Sequence, residues 1–265
     1  MRRRARLWLP IALILAPTLH AQNGCGVAVP CYTADGLVNS ASGQGGFLAP
    51  YTFATLYGTN LSDVARSRTS SDPTPGIGGV NVLVGGESAM VFYVSSTQVN
   101  FLVPASWAPG PVTVQLFRDL QFGPVLTVTL LDVAPALFCL PPPNQAVAVA
   151  QLMPEYATDT ADAPAQPGEY VILYATGLGY FGGLMIDDYN PPQTAVQIAL
   201  RPQFQVLLDG VVVDDQLVEY VGSVVGYWGL IQINLKLPGN VGGNPEIRLA
   251  IGSQTSPAGV TLIVQ

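Results

Sequence analysis

The side chains able to do chemistry in this sequence are few. There is one histidine, His20, one lysine, Lys236, and three cysteines, at 25, 31 and 139. Carboxylates are the abundant group, 17 in all. They form the adjacent pairs Asp187-Asp188 and Asp214-Asp215, and Asp159, Asp162 and Glu169 share one polar stretch. Calcium is held by several oxygen ligands from clustered carboxylates and carbonyls, so these pairs allow a calcium site. No D-x-D-x-D-G string supports one, and the expectation is a solvated acidic face with no cofactor and no assigned metal ligand. Two separated carboxylates would serve a glycosidase, but acids alone are unspecific and no catalytic residue is assigned. Gly177-Leu178-Gly179-Tyr180-Phe181-Gly182 spells a GxGxxG string after a strand. The dinucleotide reading needs a helix to open at once, and Gly183 to Pro192 is not helical in pattern.

Aromatic residues beside acids and amides are the stronger candidates. Tyr180, Phe181, Asp187, Asp188 and Tyr189 fall in one loop-like stretch, and Tyr227 and Trp228 in another. Rings with carboxylates and amides on loops of a rigid scaffold suit ligand contact. The same rings would also serve to cover sheet ends or a domain interface.

The elements that must position these residues are strands. Val80-Asn81-Val82-Leu83-Val84, Val99-Asn100-Phe101-Leu102-Val103, Val112-Thr113-Val114-Gln115-Leu116 and Val125 to Leu130 are short β-rich runs between turn residues. No stretch of about 12 residues carries helical periodicity with caps. Gly and Pro, 28 and 23 residues, read as turn chemistry. Charged residues are only 10% and hydrophobic ones 49%, ample for a core and unlike a disordered chain.

Three strings recur. Ala54-Thr55-Leu56-Tyr57-Gly58-Thr59-Asn60-Leu61 matches Val171-Ile172-Leu173-Tyr174-Ala175-Thr176-Gly177-Leu178. Val82-Leu83-Val84-Gly85-Gly86 matches Val206-Leu207-Leu208-Asp209-Gly210, and Thr97 to Pro104 matches Ile231 to Pro238. The growing offset puts insertions at residues 181–203 and 211–229. Gln98/Asn100 and Gln232/Asn234 alternate with apolar residues, which puts the amides on one sheet face.

Residues 1–21 have the form of a secretory signal: Arg2, Arg3, Arg4 and Arg6, an apolar run too short to span a bilayer, and Ala21 at the cleavage point. Its removal leaves six basic against 17 acidic residues, a net charge of −11, and no imidazole. That excludes histidine-based triads and His-liganded metals, and it disfavours nucleic acid and anionic lipid. An oxidising destination permits a disulfide between Cys25 and Cys31, leaving Cys139 as a buried thiol. The expected division is a signal peptide over 1–21, an N-terminal segment with the disulfide loop and a first strand over 22–46, and β-sandwiches over 47–140 and 141–265. The boundary is read from Pro141-Pro142-Pro143.

The strings Leu37 to Ser42, Leu56-Tyr57-Gly58-Thr59-Asn60-Leu61, Gly78-Gly79-Val80-Asn81-Val82, Phe92 to Pro104, Ala108-Pro109-Gly110-Pro111 and Tyr174-Ala175-Thr176-Gly177-Leu178-Gly179 occur in one order. Over residues 35–265 the chain resembles the Solibacter-type C-terminal domain family of secreted acidobacterial proteins. The resemblance implies a pair of Ig-like or IPT-like sandwiches at a bacterial surface and brings no catalytic residues. The expectation is an all-β protein of two tandem Ig-like β-sandwich domains, secreted or at the cell surface, with a periplasmic location as the variant. It would be non-enzymatic and act in adhesion, matrix assembly or protein–protein contact. The partner would be an extracellular protein or a polysaccharide, with no membrane span in the mature chain. The alternatives are a carbohydrate-binding module and a self-associating filament subunit.

Overall fold

Strand runs in this chain end at residues that cannot continue a ladder, and the computed structural model follows them closely. It describes residues 28–72, 75–106, 108–140, 146–182 and 190–265. The signal-like segment, Cys25, Pro141-Pro142-Pro143, Asp187, Asp188 and Tyr189 lie outside the described residues. In chain order the first half comprises β1 (Leu37–Asn39), β2 (Phe53–Tyr57), β3 (Arg66–Ser67), β4 (Val80–Val84), β5 (Glu87–Ala89), β6 (Val91–Val94), β7 (Gln98–Leu102), β8 (Gly110–Arg118), β9 (Gln121–Phe122) and β10 (Leu126–Leu130). The second comprises β11 (Ala136–Leu137), β12 (Ala150–Leu152), β13 (Ala157–Thr158), β14 (Tyr170–Thr176), β15 (Phe204–Leu208), β16 (Val211–Val212), β17 (Val218–Ser223), β18 (Ile231–Lys236), β19 (Ile247–Ile251) and β20 (Gln254–Thr255).

The fold is all-β, two tandem Ig-like sandwiches. In the first, sheet β1-β2-β7-β6-β3 faces sheet β10-β8-β4-β5, with β9 on β8. In the second, sheet β13-β12-β14-β18-β17, with β11 on β14, faces β16-β15-β19-β20. β11 joins the second sandwich ahead of residues 141–143, so the change of sheet falls between Leu130 and Ala136. β1, from the N-terminal segment, pairs with β2.

Period-2 patterning sets the layers. In β4, Val80, Val82 and Val84 are buried and Asn81 and Leu83 half-buried. In β18, Ile231, Ile233 and Leu235 point inward while Gln232, Asn234 and Lys236 are half-buried. The recurring strings fold as equivalent strand pairs. Tyr57 lies opposite Gln98 and Thr55 opposite Asn100, just as Tyr174 lies opposite Gln232 and Ile172 opposite Asn234. The matching hairpins turn on Gly85-Gly86 and Asp209-Gly210, all four with positive φ. That is the two-residue turn whose twist suits paired strands.

The first core holds Leu56, Phe101, Val82 and Leu116. The second holds Leu173, Ile233, Val206 and Leu249, and it continues into the first sandwich through Tyr51, Met90 and Leu102. The two sandwiches therefore share a packed junction. The C-terminal run, which reads as a last strand, makes single bridges instead, Val147 to Thr261 and Ala165 to Val264. Its Ile263 N–H donates to the Asp159 carboxylate, 3.3 Å.

Candidate functional site

The candidate rings divide between the junction and the surface. Phe181 is 4% exposed and meets Tyr51 edge-on, centroids 5.5 Å apart. Trp228 packs on Phe92 at 5.5 Å, Phe92 on Phe53 at 5.1 Å, and Phe53 faces Phe138 at 6.5 Å. Backbone bonds knit the same place: the Phe53 N–H donates to Thr176 Oγ1, 3.1 Å, and Thr176 Oγ1 donates to the Gly229 carbonyl, 3.0 Å. Phe181 is thus closed off between the sandwiches, where apolar area leaves water, and Trp228 is half-buried there, with one edge contact to Phe92. At Phe181 burial leaves no face for a ligand. The indole N–H of Trp228 is buried and has no acceptor among the described residues.

Gly177 and Gly229 allow this close approach. A Cβ on Gly177 would sit 2.0 Å from the Ala134 carbonyl oxygen, and one on Gly229 would sit 2.4 Å from Leu102. After Gly179 the chain bridges from Phe181 to Ile198, and Gly182 N–H bonds Gln197. Of the GxGxxG string, Gly177 and Gly179 pack against the Val133-Ala134 connection between the sandwiches, and Gly182 lies against Gln197 and Ala199.

The acidic pairs that the structure describes hold local structure. Asp214 accepts from the Gln216 N–H, 3.0 Å, capping a short 3-10 turn. Asp215 pairs with Arg201 at 2.6 Å. Glu169 accepts from the Gln166 N–H, 2.9 Å. Asp159 is fully buried and accepts the N–H groups of Ala165, 3.1 Å, and Ile263, 3.3 Å. Burial pushes its carboxyl up to about 6, against the pull of those two bonds. Among the described residues no group of three His, Cys, Asp or Glu side chains converges.

Cys31 is disulfide-bonded and Cys139 is a free thiol. Burial pushes the Cys139 thiol up to about 11, far from the thiolate that would make it a nucleophile. It borders a cleft of about 250 Å³ between the sandwiches, with Ser42, Gln44 and Ser256.

Sequence reasoning missed the outer face of β12, β14 and β18. Tyr174 Oη donates to Gln151 Oε1, 2.6 Å, and Gln151 Nε2 donates to the Tyr156 carbonyl, 3.2 Å. Burial holds the Tyr174 hydroxyl above its ordinary range. Tyr156 is 56% and Tyr227 44% exposed. Of the predicted rings, Tyr227 stands in the turn from β17 to β18 at the end of this face, and Tyr180 is exposed on the chain leading to Phe181. The alternation of β18 signalled the face, but only sheet order places Gln151, and only the loops place Tyr156 and Tyr227.

No family model matches the chain, and no curated protein matches it. Among solved structures, a Bacteroides ovatus mixed-linkage glucan utilization locus protein, SGBP-B, in complex with a mixed-linkage heptasaccharide, is similar at 12% identity and a TM-score of 0.33. The match covers 90% of this chain, which spans 47% of that one. Domains 5–6 of the S-layer protein SbsC align at 13% identity and a TM-score of 0.30, over 89% of this chain and 98% of that one. The plexin A4 extracellular region aligns at 11% identity and a TM-score of 0.28, over 94% and 17%. Among the described residues no helix is long and apolar enough to cross a membrane.

Proposed function

We propose that this protein is an extracellular, non-enzymatic contact module whose two sandwiches form one stiff body. The observation that carries this reading is the junction. Phe53, Phe92 and Trp228, with Thr176 bonded to both sides, fuse the two cores. Transient domain interfaces are smaller and more polar than a shared core. A fixed pair presents its outer faces at constant spacing, as adhesion or matrix assembly needs. The signal-like segment, the disulfide at Cys31 and the net negative charge support an oxidising, extracellular setting. The motif resemblance to the Solibacter-type family belongs to this proposal. Residues 22–265, immobilised and exposed to culture supernatant, should retain a defined protein or polysaccharide. Ester, glycoside or peptide hydrolysis abolished by an Asp→Asn substitution would overturn the non-enzymatic reading.

A specific observation weighs against end-to-end stacking of copies. Phe53 and Leu102, which meet the second sandwich at the junction, have Tyr170 and Lys236 as repeat equivalents at the far end of β14 and β18. There Lys236 sits over the Tyr170 ring at 5.4 Å. A charged cap replaces the apolar end, the arrangement that stops a stack of repeats.

A further inference from the structure

The duplicated amide pairs can be compared with each other, because the same residues occupy the same register in both sandwiches. In the first, Asn100 Oδ1 accepts from Gln98 Nε2, 2.8 Å, and from Thr55 Oγ1, 3.1 Å. Both amides are buried, so this copy is closed and saturated. In the second, Gln232 Nε2 donates to Asn234 Oδ1, 2.7 Å, but Ile172 faces Asn234 where the first copy has Thr55. Ile172 supplies no hydroxyl, and both amides are half-buried. The second copy is open where the first is shut.

That copy lies on the sheet face that also carries Tyr174, opposite Gln232; Tyr174 bonds Gln151, which reaches the Tyr156 carbonyl, and the exposed Tyr227 stands in the turn from β17 to β18, just before Gln232. Gln232 and Asn234 carry no formal charge. On this face Lys236 and Glu219 are both engaged with Tyr170. A sparsely charged face with rigid amphipathic rings and amides of fixed orientation suits a ligand of hydroxyls and C–H faces. The net negative charge of the chain works against an anionic polymer.

We propose that the outer face of β14 and β18 in the second sandwich binds a neutral polysaccharide, with Tyr156 and Tyr227 stacking on sugar rings and Gln232 and Asn234 bonding their hydroxyls. The inference deepens the contact-module reading by naming its partner class and site. The test is affinity electrophoresis and calorimetry of residues 22–265 with hydroxyethyl cellulose, galactomannan and dextran, and with polygalacturonate as the charged comparison. At least one neutral polymer should bind and polygalacturonate should not. Tyr227→Ala and Tyr156→Ala should each weaken binding about tenfold, with unchanged thermal unfolding since both rings are exposed. Tyr227→Phe should retain binding, because stacking needs the ring and not the hydroxyl. Retention of full affinity by both alanine variants would overturn the site while leaving a polysaccharide partner standing. Binding to none of the neutral polymers would overturn the inference outright. In that case a protein captured from culture supernatant, with capture lost in the tyrosine variants, would still satisfy the contact-module reading.

Discussion

Two residues report how this scaffold is strained and charged. Trp228 packs at the junction, and its indole N–H finds no acceptor among the described residues. An unpaired buried donor costs about 1–3 kcal/mol, so Trp228→Phe should hold or raise the unfolding temperature. Trp228→Ala, which opens a cavity, should lose about 2–4 kcal/mol. Thermal unfolding of the two variants checks both. Asp159 has a folded-state carboxyl at about 6, raised from 3.8 chiefly by burial. Between those values the folded state holds a proton that the unfolded state has released. The group's favourable contribution is therefore complete below about pH 4 and is lost as pH rises through 6. Subtracting the pH profile of Asp159→Asn from that of the native chain, by urea unfolding between pH 4 and 7, should leave a falling slope. A flat difference would contradict the raised carboxyl.

At the scale of elements, glycines with the same φ have different jobs. Gly177 (φ 77) and Gly210 (φ 76) are equally left-handed. A Cβ at Gly210 meets open space, whereas one at Gly177 strikes the Ala134 carbonyl oxygen at 2.0 Å. Gly210→Ala should cost about 1–2 kcal/mol, the left-handed penalty alone. Gly177→Ala adds a backbone collision at the junction and should cost more than twice that, or prevent folding. Chemical denaturation of the pair separates turn strain from packing. The strand pairs β2·β7 and β14·β18 show how far the repeat was readable. Matching strings predicted matching strands, and the register bears that out at Tyr57 opposite Gln98 and Tyr174 opposite Gln232. The amides' partners were not readable. Asn100 finds a hydroxyl on the neighbouring strand and Asn234 finds Ile172, a difference of one residue across a strand pair.

For the whole molecule, the shared core implies one cooperative unit. Calorimetry should show a single transition with matching calorimetric and van't Hoff enthalpies. Phe92→Ala, which removes the ring between Phe53 and Trp228, should separate it into two. Two transitions in the native chain would mean that the junction does not couple the sandwiches.

The sequence by itself determined the all-β class, the duplication, the turn positions and the scarcity of catalytic side chains. Those properties live in local spacing: period-2 burial, φ preferences of Gly and Asp, and residue counts. Only the tertiary structure decided what the rings and acids do. Phe181 and Trp228 look like ligand contacts beside their acidic neighbours, yet Phe181 is buried against Tyr51 and Trp228 is half-buried against Phe92, rings that arrive from the other sandwich. Asp214 and Asp215 look like a metal pair, yet one caps a turn and the other meets Arg201 across the base of the β15–β16 hairpin. Gln151 and Tyr174 are far apart in the chain and meet only because β12 pairs with β14. Side-chain partners across a sheet or a junction depend on which strands pair and which ends meet, and that is a property of the closed core.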